Sequence, residues 1–284
     1  MTRRDMSRRV TWVIAAILAA VAAGVGLVAQ GAGQAQQPGP GRGAAAPQAP
    51  ATPQAPATPQ APATPQAVAP IDLTGYWVSI VNEDWRWRMV TPPKGDTASV
   101  PLNPEGTKVA GSWDPATDGS CLAYGAAGLM RIPTRLHITW DGAQVLKVDT
   151  DAGQQTRRLS FDKSQAAPAQ RSLQGFSLAE WELVGGGRGG GRGGAPQAPR
   201  AGNLKVTTTM LSAGWLRKNG VPYSENATMT EYFDRFAAPN GDEWLVVTTI
   251  VSDPKYLTQD FVTSTHFKKE ANAAKWAPSP CKGP

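Results

Sequence analysis

Histidine and cysteine are scarce in this 284-residue chain, with two of each. Two histidines exclude a metal centre built mainly from imidazole. A two-histidine site would require His137 and His266 to meet, with Glu231 or Asp234 as the third ligand. Solvated or hydrogen-bonded histidines are the plainer expectation, so no metal and no cofactor is expected. The cysteines, Cys121 and Cys281, form neither a CxxC nor a CxxCH spacing, which removes a dithiol redox motif and covalent haem attachment. No G-x-S-x-G elbow, P-loop or dinucleotide fingerprint falls in a strand–helix setting. A basic surface for nucleic acid is missing as well, although the formal charge is +6. Residues 1–70 hold five Arg against one Asp, and Arg188, Arg192 and Arg200 lie in a glycine-rich stretch. Without these the remainder has one more acid than base, so no nucleic-acid partner is expected.

Only one long hydrophobic run is present. Val10–Ala29 follows the basic stretch "RRDMSRR" and reads as an export segment over residues 1–30. At roughly 20 residues it is also long enough to span a bilayer. The small residues of "GQA", ending at Ala35, suit a cleavage site. A cleaved signal peptide and a retained anchor both stand as readings. The basic side stays in the cytoplasm. The rest of the chain is therefore expected in the bacterial periplasm or secreted, touching membrane only through this segment. The arginine pairs at 3–4 and 8–9 hint at a twin-arginine route, but neither carries the rest of that motif, and an ordinary basic leader is the plainer reading. In an oxidising compartment the default for Cys121 and Cys281 is a single structural disulfide.

Proline and glycine are abundant, at 25 and 30 residues, and mark two low-complexity segments. Residues 31–69 carry "QAPATP" three times in tandem, from Gln48, Gln54 and Gln60. Proline at this density removes amide donors and blocks helix, so this range reads as a disordered, extended linker. The second segment, residues 185–202, opens with "GGGRGGGRGGAPQAPR" over Gly185–Arg200. Its flanks read as strands, so it is expected to be a flexible insertion in a hairpin turn.

Residues 70–284 are strand-rich. "LTGYWVSIV", "DWRWRMV", "TRLHITWD", "QVLKVDT", "TRRLSFD", "TMTEYFDRF", "EWLVVTTIV" and "FVTSTHFKK" carry the aromatic and β-branched enrichment of strands. With the two strands flanking the insert, the count is about ten. One short helix is expected at "NPEGTKVAG", with Asn103 capping, Pro104 at the first position and Glu105 in the first turn. The implied fold is all-β, an antiparallel barrel or sandwich of about ten strands with one helix.

Two resemblances sharpen this. "LTGYWV" resembles the opening strand of lipocalin-like barrels, in which a Gly-x-Trp motif lays a Trp across the closed end. Gly75 and Trp77 match it. The Arg that accompanies that motif near the end of the last strand is replaced here by Lys268 and Lys269. From about Ile71 to Lys269 the chain also resembles a family of secreted bacterial β-proteins of unknown function. The matching positions are Cys121, Gly125, Gly175, Ser177, Trp181, Glu182, Ser224, Glu231, Asp253 and Pro254. These resemblances imply a lipocalin-like barrel and bring no established activity.

Nine of the ten tryptophans follow the linker. Aromatic-rich strands in a barrel point to a binding protein for a small apolar or amphipathic ligand. The polar residues singled out as ligand contacts are Trp85, Arg86, Trp87, Arg88, Arg131, Arg135, His137, Glu231 and Tyr232. Read as a strand, "EDWRWRM" places Trp85, Trp87 and Met89 on one face and Arg86 and Arg88 on the other. The plain reading turns the tryptophans inward. If the arginines face inward instead, two guanidiniums suit a carboxylate, or Glu231 neutralises one of them. A cofactor-independent enzyme using Glu231 or His137 beside an Arg, and an envelope scaffold protein, are the alternatives.

Overall fold

A computed structural model describes residues 63–118, 121–183 and 201–282. The export segment, the linker up to residue 62 and most of the glycine–arginine insert lie outside the described residues. Among the described residues no helix is long and apolar enough to cross a membrane.

Nine strands close into a barrel: β1 (Gly75–Ile80), β2 (Arg135–Asp141), β3 (Val145–Thr150), β5 (Thr156–Ser160), β6 (Phe176–Leu183), β7 (Gly202–Thr209), β10 (Thr228–Ala237), β11 (Glu243–Ser252) and β12 (Phe261–Glu270). The order around the barrel is β1-β12-β11-β10-β7-β6-β5-β3-β2, with β2 returning to β1. The remaining strands are short: β4 (Ala152–Gly153) pairs with β13 (Ser279–Pro280), and β8 (Gly214–Arg217) pairs with β9 (Val221–Tyr223). The expected all-β barrel is therefore present, with nine strands in place of ten. The strand lost from the count is "DWRWRMV". Both edges of β1 are taken, by β12 and β2, so the chain after Ile80 has no edge to join. It closes its own hydrogen bonds instead, as the single turn α1 (Trp85–Arg88).

The barrel is also not wholly antiparallel. β5 and β6 run parallel over Leu159–Ser160 against Ser177–Leu178. The connection between them, residues 161–175, is long enough to carry the chain back to the end it left, which a parallel pair requires. β6 and β7 pair from Phe176–Thr209 to Leu183–Gly202, so the insert does emerge from a hairpin.

Alternation along the strands fills the interior. Leu136, Ile138, Val148, Leu159, Leu204, Val206, Phe233, Leu245, Val247 and Phe267 form one cluster with no measurable exposure. A void able to admit one water would leave accessible area on its walls. These ten side chains fill the interior where they meet.

On β1, Trp77 of the Gly-x-Trp motif belongs to the buried core cluster. It is fully buried and donates from Nε1 to the Leu73 carbonyl at 2.9 Å. Lys269, its register partner on β12, holds its ammonium 5.1 Å from the indole ring, in the place of the absent arginine. The last residues of the linker range, 63–69, belong to the folded domain. Trp181 donates to the Pro65 carbonyl at 2.9 Å, and Val68 N donates to the Thr64 carbonyl.

One end of the barrel is capped by α2 (Pro104–Ser112), α3 (Ala126–Leu129), a short 3-10 turn at Leu122–Tyr124 and the β8–β9 ribbon. Leu211, Leu216, Val221, Tyr223 and Phe261 pack there as a second cluster. The helix α2 starts as expected, with Gly106 N donating to the Asn103 side chain at 2.9 Å. Gly125, one of the family-like positions, admits no side chain, because a Cβ there would lie 2.1 Å from the Tyr223 hydroxyl. The expected disulfide joins Cys121 to Cys281 across 160 residues and pins the C-terminal tail beside β4. A loop of that length is worth at most about 4–5 kcal/mol in the chain-entropy account.

Candidate functional site

The segment that fails to become a strand builds the site. Asp84 adopts the left-handed conformation (φ 51°) and turns the chain into α1. Asp is among the few non-glycine residues that tolerate this region. The turn then distributes its side chains at helical spacing. Arg88 points inward and is 5 % exposed, whereas Trp85 is 65 % exposed and Met89 shares its outer face. The expectation of tryptophan inward and arginine outward is overturned, because the alternation rule does not govern a helical turn.

Arg88 donates from Nε to the Arg131 carbonyl at 2.8 Å and from Nη1 to Glu83. Glu83 also meets His266 Nδ1 at 2.9 Å. Arg131, just beyond α3, donates to Asp84 at 2.9 Å. A third guanidinium comes from Arg217, at the end of β8, where the ribbon's register shifts. It lies 4.8 Å from the Trp87 ring centre, and Arg86 lies 4.9 Å from the same ring. Trp87 Nε1 and Arg86 both donate to Asp96, at 3.1 and 3.2 Å. Buried Asn219 ties this loop to the β8–β9 turn by donating to the Pro93 and Asp96 carbonyls.

Arg217 is only 4 % exposed, and its Nε, Nη1 and Nη2 are all buried without a hydrogen-bond partner. Arg88 Nη2 and Arg131 Nη1 are orphaned in the same way. Burial pulls the Arg217 guanidinium down to about 10; Arg131 and Arg86 push the same way, and Asp84 and Asp96 oppose. It therefore stays charged at neutral pH. Burial also lowers the pKa of Arg88, against the pull of Glu83. The cluster sets four guanidiniums, Arg86, Arg88, Arg131 and Arg217, against three carboxylates, Glu83, Asp84 and Asp96. A cavity of about 20 Å³ lies among Trp87, Arg88, Arg131, Leu216, Arg217 and Lys218. A buried, unpaired cation is among the most costly arrangements in a protein. Arg217 is that cation; beside it Arg88 and Arg131, each already paired with one carboxylate, leave one nitrogen apiece unpartnered at the same cavity, an arrangement that suits an anion.

Of the sequence-predicted residues, Arg86, Trp87, Arg88 and Arg131 converge here, Trp85 lies on the same turn but faces outward, and the other four are elsewhere. Glu231 is on the barrel interior, fully buried, and takes both guanidinium nitrogens of Arg157 at 2.9 and 2.6 Å. Thr208 and Ser177 complete that polar belt. Glu231 therefore neutralises Arg157, not Arg86 or Arg88, and no solvent reaches it for acid–base work. Arg135 is a wall residue paired with Glu270 at 2.9 Å. Tyr232 sits on the half-exposed face of β10, in register with Lys205 and Thr248. The residues that sequence reasoning missed are Arg217, Lys218 and Asp96. Asn219–Gly220, a hairpin dipeptide, is the signal that marks the β8–β9 ribbon carrying Arg217 and Lys218.

His137 lies on the face predicted for it, opposite Leu136 and Ile138. Its ring stacks on Tyr76 at 4.2 Å, with Trp276 edge-on at 5.9 Å. It does not meet His266: the two lie on strands either side of β1, in register with Tyr76 and Ile80. Among the described residues no group of three His, Cys, Asp or Glu side chains is placed to hold a metal. Burial lowers the His137 pKa, opposed by Asp149 and aided by Lys147. A depressed folded pKa means that the unfolded chain takes up the proton first. Stability from this residue is thus lost as pH falls below about 6.5. The urea midpoint should drop between pH 7 and 5, and by less in His137→Phe, which keeps the stacking but cannot protonate. An equal drop in both proteins would remove His137 from the account.

No protein-family model matches the chain, and no curated protein matches it. The fold and site define a closed nine-stranded β-barrel, compatible with a lipocalin-like one, that is packed inside and carries a buried arginine cluster at one end. The disulfide is consistent with an oxidising compartment outside the cytoplasm.

Proposed function

We propose that this is an exported binding protein for a small anionic ligand, held on a proline-rich spacer, with its site in the arginine cradle and not in the barrel interior. The observation that carries the reading is the Arg217 guanidinium, buried with no hydrogen-bond partner. The packed interior supports it, since an apolar ligand has no room there. Membership of the secreted bacterial family, and a periplasmic or secreted location, rest on the motif order and the export segment.

Trp87 is the natural reporter, because its ring is in contact with Arg217. Titrating acetate into the full chain at low ionic strength should change tryptophan fluorescence saturably, and Arg217→Met should abolish the change. A flat response in the unaltered protein to acetate, chloride and phosphate alike would remove the binding function.

A further inference from the structure

The shape and surroundings of the cradle define its ligand further, on the basis of the anion-binding reading. A cavity needs about 10–15 Å³ to hold one water, and this one offers about 20 Å³. One oxygen of a carboxylate enters such a space with its carbon at the mouth. A phosphate or sulfate entering in the same way is bulkier at the mouth, where its central atom carries three further oxygens. The guanidinium forks match a carboxylate and a phosphate alike, so the small size of the cavity is what favours the carboxylate.

The outer side of α1 supplies the second observation. Trp85, Met89 and Val90 are 65, 59 and 63 % exposed. They are three of the seven exposed large hydrophobics among the described residues, and they fall within six consecutive positions. Trp85 and Met89 are four residues apart, so they share one face of the turn whose inner residues, Trp87 and Arg88, line the cradle. Exposed apolar side chains gathered beside a buried anion site mark an amphiphile-binding surface better than either feature alone.

We propose that the ligand is a monocarboxylate with an apolar body, such as a medium-chain fatty acid. Its carboxylate pairs with Arg217, Arg131 and Arg88, and its chain lies over Trp85, Met89 and Val90.

Isothermal titration calorimetry of the full chain with acetate, butanoate, octanoate, phosphate and chloride tests this. Octanoate should bind about tenfold or more tighter than butanoate, because each methylene removed from water strengthens binding. Phosphate should bind more weakly than acetate. In Trp85→Ser/Met89→Ser the octanoate advantage should vanish while acetate binds as before. Both positions are exposed, so the fold is kept. This variant also separates the proposed surface from chance uptake by the N-terminal apolar run, which it leaves intact. Equal affinity for acetate and octanoate, tighter binding of phosphate, or an octanoate advantage that survives in the double variant would overturn the inference and leave anion binding standing. No heat with any anion would overturn both.

Discussion

Arg217→Met should raise the melting temperature while it abolishes anion binding. Methionine fills the space of the arginine stem without bringing an unpaired charge into the protein. Exchanging buried ionic groups for apolar ones of similar volume stabilises by on the order of 1–4 kcal/mol. The loss of the contact with Trp87 opposes this by about 0.5–2 kcal/mol. The desolvation of a guanidinium that makes no hydrogen bond is the larger quantity. The net gain should appear as a rise of a few degrees, at about 2–4 °C per kcal/mol for a domain of this size. Arg131→Met provides the contrast. It leaves Asp84 without its partner and should destabilise. A site that binds at the expense of stability behaves in this opposed way. If Arg217→Met melts lower than the parent, the guanidinium is a structural group and the cradle is not a receptor.

Glu231→Gln should produce the largest loss in the barrel, about 3–5 kcal/mol, because it leaves Arg157 charged in a sealed interior. Arg157→Met/Glu231→Leu should recover most of that loss, since the pair's attraction roughly repays its desolvation. Urea unfolding of the two variants distinguishes a structural pair from a catalytic one. A double variant as unstable as Glu231→Gln would show that the polar belt with Thr208 and Ser177 is needed as a unit. Neither change should alter anion binding at the arginine cradle, whose residues come from α1, the end of α3 and β8.

Nine of the ten expected strands are barrel strands, and their inward faces follow the alternation of the sequence. Leu136 and Ile138 against Arg135 and His137 is one instance, and Met229, Glu231 and Phe233 on β10 is another. Alternation succeeds there because each of those segments has two neighbours to pair with. It fails at "EDWRWRM", where the composition suits a strand but β1 already has neighbours on both sides. The same segment shows why four candidate site residues are legible in the sequence and their orientation is not. Proximity in sequence made Trp85 to Arg88 a unit, whereas only the left-handed turn at Asp84 decided that Arg88 goes in and Trp85 stays out. The sequence suggests Arg86 or Arg88 as the residue that Glu231 neutralises, and the structure gives it Arg157. That arginine, on β5, lies 74 positions away and became its neighbour only through barrel closure.

By itself, then, the sequence determined the strand-rich domain, the capped helix at Asn103, the disulfide and the hairpin that carries the insert. All of these follow from local composition, spacing or the number of cysteines. The tertiary structure alone decided that the interior is filled and that three arginines from α1, the end of α3 and β8 share one cavity. Packing and charge proximity depend on which distant segments meet, and nothing in local periodicity records that.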